Sequence, residues 1–92
     1  MEDEALPRHY AEIEIELDRS EIAYTLYKAL LGEALNPVNR EKTRVDVEHR
    51  DKVVVIRIAT DTLSHLRAVT NSFFYLVHSV LESISRLKNL GL

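Results

Sequence analysis

Four histidines, His9, His49, His65 and His78, are the side chains of this 92-residue chain best suited to moving protons or holding a metal ion. Two ligands on one helix face need a spacing of three or four residues, and no pair of these histidines has it. Neither a metal site nor a metal cofactor is therefore expected. Arg67 and Asn71 stand four apart in a stretch of helical pattern that Asp61 opens, and together they could grip a carboxylate or a phosphate. Hydrogen bonding along the helix surface, or contact with a partner, is the simpler use of that pair. Ser64, Ser72, Ser79, Ser83 and Ser85 have no general base at a spacing that would activate a hydroxyl. With glycine only at Gly32 and Gly91, a phosphate-cradling loop cannot form. Cysteine is absent, which removes disulfides, thiolate catalysis and cysteine zinc sites together. Catalysis is not expected of this chain, and no cofactor is; its function should lie in its surfaces.

The longest of the elements that present those surfaces spans Asp61 to Leu90. At 100° per residue, Leu66, Val69, Phe73, Leu76, Val77, Val80, Ile84 and Leu87 form one apolar stripe, which reads as the core side of a long helix. On its other side Ala68, Ser72, Ser79 and Ser83 make a row of small residues flanked by Arg67, Asn71, Tyr75 and His78. Small residues let a second helix backbone approach closely. An earlier helix, opened by Asp18 with Glu21 three residues on or by Ser20, should run to about Gly32–Leu35 and stop at Asn36-Pro37. Its Ile22, Leu26, Ala29 and Leu30 are read as facing the sheet, while Tyr24, Tyr27 and Leu31 point the other way and suggest a helix–helix contact with another chain.

Three strands complete the order. His9 to Leu17 alternates apolar with Glu12, Glu14 and Glu16, which describes a half-buried strand whose register is fixed by the cost of burying three glutamates. Thr43 to His49 alternates again, Arg50-Asp51 reads as a turn, and Lys52 to Thr60 is β-branched and apolar on both faces. Such a strand belongs at the centre of a sheet or beneath a partner, and Val53 and Val55, on its second face, are candidates for a homodimer contact. The expected fold class is α+β, strand-helix-strand-strand-helix, with a three-stranded, mainly antiparallel sheet and two helices on one face. Residues 1–8 are expected to be a flexible tail and residues 9–92 a single domain.

Composition agrees with a globular protein, 46% apolar and 29% charged. The acidic N-terminus lacks the apolar run of a signal peptide and no uninterrupted apolar stretch could span a membrane, so a cytoplasmic protein is expected. The net charge of −3 is unevenly spread: residues 1–34 hold nine acids and three bases, and the remainder six acids and nine bases. Six of those bases, Arg40, Lys42, Arg44, Arg50, Lys52 and Arg57, fall in one segment and are candidates for contact with RNA phosphates. Glu41, Asp46, Glu48 and Asp51 interleave with them, as on an ordinary mixed-charge hairpin.

At Leu66-Arg67-Ala68-Val69-Thr70-Asn71-Ser72 the sequence resembles the small dimerising subunit of the KEOPS complex, the Pcc/LAGE type that includes cancer/testis-antigen-like proteins. The match in order covers nearly the whole chain: a first strand, a helix from Ser20-Glu21 bearing Tyr27-Lys28-Ala29-Leu30, Thr43-Arg44-Val45, an apolar hairpin strand and an acidic residue before the heptapeptide. The hairpin departs from the family by lacking a glycine, and the Leu35 to Lys42 connection matches no motif.

The resemblance implies a non-catalytic assembly subunit. It would form a homodimer, bind the catalytic threonylcarbamoyl-transferase subunit through its helices, and support modification of the adenosine next to the tRNA anticodon. On that basis Tyr24, Tyr27 and Leu31 with Ala68, Ser72, Tyr75 and Ser79 would present the partner-helix surface, and the Arg40 to Arg57 strip would offer an accessory tRNA contact. Two other readings compete. The element order also resembles a K-homology RNA-binding module, although the Gly-x-x-Gly clamp of that fold is missing here; a small ligand-sensing or enzymatic domain would require a polar, concave pocket.

Overall fold

The computed structural model of the chain describes residues 8–35 and 42–89. The expected tail, apart from Arg8, and the Asn36-Pro37 stop with Arg40 lie outside the described residues. The elements follow the expected order: β1 (His9–Glu16), α1 (Ser20–Leu35), β2 (Thr43–Arg50), β3 (Val53–Thr60) and α2 (Leu63–Asn89). The three strands form one antiparallel sheet in the order β1-β3-β2, with β3 in the middle as its two apolar faces require. Ile13, Ile56 and Val47 lie side by side in one cross-strand row, flanked by the row of Ile15, Val54 and His49 and that of Ala11, Ile58 and Val45. The ladder between β1 and β3 extends one bond beyond each end, with the amides of Arg8 and Leu17 donating to the carbonyls of Thr60 and Lys52 at 2.8 Å.

The hairpin turn falls at Asp51-Lys52, one residue later than the composition suggested, because Arg50 and Val53 remain paired. Asp51 takes the left-handed conformation, φ 51°. Aspartate is among the few non-glycine residues that adopt it at modest cost, which is why no glycine marks this turn.

Both helices lie on the face of the sheet formed by Val54, Ile56, Ile58 and Thr60, and the core sits between them. α1 seats Ala23, Leu26, Leu30 and Ala34 there, three of them fully buried. This corrects the expected stripe: Ile22 is only half-buried and Ala29 is exposed, because two alanines rather than an isoleucine bring the helix backbone close to the sheet. α2 contributes Leu66, Phe73 and Val77, with Val69, Leu76, Val80 and Leu81 partly buried beside them. Leu87, read as the last core position, is 50% exposed, since the final turns of this 27-residue helix run past the end of the 8-residue strands.

Helix starts also differ in detail. The carbonyl of Arg19 accepts the first helical bond of α1, from the Ala23 amide at 3.2 Å, so the cap position is Arg19 and neither Asp18 nor Ser20. The cap of α2 is Thr62: its Oγ1 accepts from the His65 amide at 3.1 Å and its carbonyl accepts from the Leu66 amide. Asp61, expected to open this helix, and its neighbour Thr60 do other work. The Thr60 hydroxyl donates to the Thr62 carbonyl at 2.8 Å, and Asp61 reaches His65.

Candidate interaction surfaces

The groove between α1 and α2 holds the small-residue row. Ser72, Tyr75, Leu76 and Ser79 from α2 and Glu33 from α1 line a depression of 340 Å³ on the side of the helices away from the sheet. Ser72, Ser79 and Ala68 are exposed, and Tyr75 is 80% exposed. Ala29, one turn before Glu33 on α1, is exposed too, on the same side of the helix as Glu33. A Cβ added at Gly32 would meet nothing within 4 Å, which leaves this stretch of α1 low as well.

The α1 residues expected to join this surface lie elsewhere. Tyr24 and Tyr27 turn toward β2, where both pack on His49: Tyr27 stacks at a centroid distance of 5.6 Å and Tyr24 meets the ring edge-on at 5.6 Å. The Lys28 ammonium lies 5.8 Å from the Tyr24 ring centroid. Tyr27 and Leu31 are half-buried and Tyr24 is 50% exposed, so tyrosine at this spacing supports the α1–β2 seam. His49 was missed as a member of that cluster, although its place at the inward position of β2 follows from the alternation. Its Nε2 is buried without a hydrogen-bond partner among the described residues.

Arg67 and Asn71 are both exposed on α2, where no recorded contact ties them together. Phe74, 51% exposed, is an aromatic that the helical stripe did not single out; the Phe73-Phe74 doublet necessarily puts one ring inward and the other outward.

The other face of the sheet carries the charges. Arg57 on β3 joins all three strands through Glu12 at 3.5 Å, Asp46 at 3.3 Å and Glu48 at 2.9 Å. Its hydrogen bond to Glu48 raises the guanidinium's already high pKa and, from the other side, holds the Glu48 carboxyl below its ordinary range, with Arg50 as the next contributor. Of the six bases considered for RNA contact, Arg57 and Arg50 are thus paired with acids; Lys42, Arg44 and Lys52 are exposed. Val55 is buried to 7% exposure between Glu14 and Glu48 on the neighbouring strands, and Val53 is half-buried.

One further cluster links α2 to β2. Asp61 Oδ1 lies 3.2 Å from His65 Nδ1, and His65 Nε2 lies 3.2 Å from Thr43 Oγ1. An ionised Asp61 only accepts, so the His65 tautomer that lets the Thr43 hydroxyl donate to Nε2 carries its proton on Nδ1, toward Asp61. The bond from His65 is the first cause of a lowered Asp61 pKa. Carboxylate, imidazole and hydroxyl in this order match the parts of a nucleophile relay, but Thr43 is only 3% exposed and its oxygen has no access to an electrophile. The cluster is a clip that ties the start of α2 to β2. Among the described residues no group of three or more His, Cys, Asp or Glu could hold a metal ion. No helix there is long and apolar enough to cross a membrane.

Fold and surfaces together define a small α+β domain, with a helical groove on one side and a charged sheet on the other. The profile of the family described as transcription factor Pcc1 matches residues 10–85, and the chain belongs to that family, the Pcc/LAGE-type KEOPS subunits that its sequence resembles. No curated protein matches it. A chain in the crystal structure of the binary complex Gon7-Pcc1 is similar at 18% identity, with a TM-score of 0.73, over 86% of this chain and 95% of that one. At that identity the likeness speaks for the fold.

Proposed function

We propose that this chain is the non-catalytic assembly subunit of a cytoplasmic KEOPS complex, and that a helix of the catalytic threonylcarbamoyl-transferase subunit docks in the groove between α1 and α2. What carries this reading is the groove itself: exposed Ser72 and Ser79 keep it low, and Tyr75 stands 80% exposed at its rim. A solvated helix face would carry long charged side chains there, and a buried helix–helix seam needs the small residues that are present. Family membership supplies the complex, and the structural likeness to a chain crystallised with a second protein accords with a subunit that works through partners. In this role the chain positions its partner and a second copy of itself while the partner modifies the adenosine next to the tRNA anticodon. Val53 and Val55 remain the proposed homodimer contact, and the exposed bases Lys42, Arg44 and Lys52 the accessory tRNA contact.

The test is Ser79→Asp. A carboxylate buried against an incoming helix without a partner should cost about 3–5 kcal/mol of binding. Ser79 is exposed in the isolated chain, so its circular dichroism and unfolding midpoint should hardly change. Calorimetric titration with the cognate catalytic subunit reads the first effect. Unchanged affinity would rule the groove out as the docking site.

A further inference from the structure

We infer that the open face of the sheet carries a stacking slot for one base of a single-stranded nucleic acid, walled by Tyr10 and Arg44. The register puts Tyr10, Ala59 and Arg44 in a single row across β1, β3 and β2, on the side away from the helices. Ala59 is the low floor of that row, and the two walls stand two strand spacings apart, roughly 9.6 Å. A planar ring in contact with both walls needs about 7 Å between them, so a slight inward lean of either side chain closes the slot on a base. The depression there holds 490 Å³ and is lined also by Glu12, Asp46 and Arg57.

Each wall offers what a base requires. Tyr10 is 72% exposed and presents an aromatic face; the exposed Arg44 presents a planar guanidinium with no side-chain bond or ion pair among the described residues. Arg8 is exposed beside Tyr10's neighbour His9 and adds a second cation for the phosphates that a bound strand brings. At the far end of the slot Arg57 uses one oxygen each of Glu12 and Asp46. The second oxygen of each carboxylate makes no bond among the described residues and can accept from an exocyclic amine, so bases that carry an amine are favoured. The slot is open along the sheet, which lets a strand pass through and distinguishes it from a closed pocket for a free nucleotide.

This inference rests on the proposed reading that the chain meets RNA, and the slot lies on the same sheet face as the proposed homodimer contact at Val53 and Val55, toward its opposite end; the helix groove plays no part in it. The experiment is fluorescence anisotropy of labelled adenylate, cytidylate and uridylate decamers titrated with the full chain at each of a series of salt concentrations. Cytidylate should bind more tightly than uridylate, which lacks the amine. Tyr10→Ala should weaken binding on the order of 5- to 100-fold, the range that loss of one stacked base gives, while Tyr10→Phe stays close to the parent. Arg44→Ala should also weaken binding and lower the salt slope.

No binding by the parent, or equal binding by Tyr10→Ala and the parent, would overturn the slot. So would a Tyr10→Ala variant that loses self-association and keeps RNA affinity, which would make the Tyr10 row, like Val53 and Val55, part of the contact between copies. Because slot and groove lie on opposite sides of the molecule, Tyr10→Ala should still bind the catalytic subunit. Loss of RNA with intact assembly and loss of assembly with intact RNA binding therefore separate failure of one idea from failure of the other.

Discussion

At the scale of single residues, the charges that look like a ligand site in sequence are mostly held by each other. Glu48 rests against Arg57 and Arg50, and Asp61 against His65, and both carboxyls titrate below their ordinary values. A depressed folded pKa means that the stabilisation is complete above the unfolded value, 4.5 for Glu48 and 3.8 for Asp61, and is lost as pH falls through the lower folded value. Stability should therefore decline on acidification below that range, and Asp61→Asn should flatten the decline when unfolding is followed by denaturant titration at a series of pH values. An unchanged acid slope would mean that the Asp61–His65 bond adds nothing in solution. Thr62 makes a cleaner case, because its hydroxyl caps α2 through the His65 amide. Thr62→Ala should cost about 1 kcal/mol of stability, whereas Ser20→Ala, at the rival cap of α1 that makes no capping bond here, should cost little.

At the scale of elements, alternation and helical periodicity carried most of the fold. The three glutamates of β1 could only face away from the core, and the two-sided apolar run of β3 pointed to the centre of the sheet, so strand facing and sheet order were readable from residue types, whereas the hairpin turn was read one residue early. The side of each helix that meets its neighbours was less readable. On α1, Ile22 and Ala29 fit the apolar period as well as Ala23 and Ala34 do, and the choice between them is made by how closely the backbone approaches the sheet. Tyr24 and Tyr27 looked like spare surface because their partner, His49, comes from a strand 22 or more residues away. No local pattern announces such a pairing. The row of Ser72 and Ser79 was legible, whereas its α1 flank at Glu33 needed the packing of two helices. Urea unfolding of two leucine variants tests this allocation. Leu26→Ala, at a fully buried position, should cost about 2–5 kcal/mol. Leu87→Ala, on the overhanging end of α2, should cost a small fraction of that, and equal losses would place the end of α2 inside the folded core.

At the scale of the whole molecule, length governs what is left for partners. α2 runs about 40 Å against about 26 Å for the strands, which stretches the chain to 55 × 22 × 18 Å and leaves its last turns beyond the sheet. A molecule this thin buries one face of each layer and offers two opposite sides, a low groove between the helices and a charged sheet with a tyrosine at one end. A subunit that joins other proteins can use both sides at once. Its own core sets how much disruption those sides tolerate, and the groove residues, being exposed, can be changed without touching that core. The central claim is that the groove receives a helix of the catalytic KEOPS subunit, and the most direct measurement is the affinity of that subunit for the parent chain and for Ser79→Asp, with folding of both verified by circular dichroism. The account predicts a tight complex with the parent and a loss of about 3–5 kcal/mol in the variant at unchanged fold. Equal affinity for the two chains, or no complex with the parent, would contradict it.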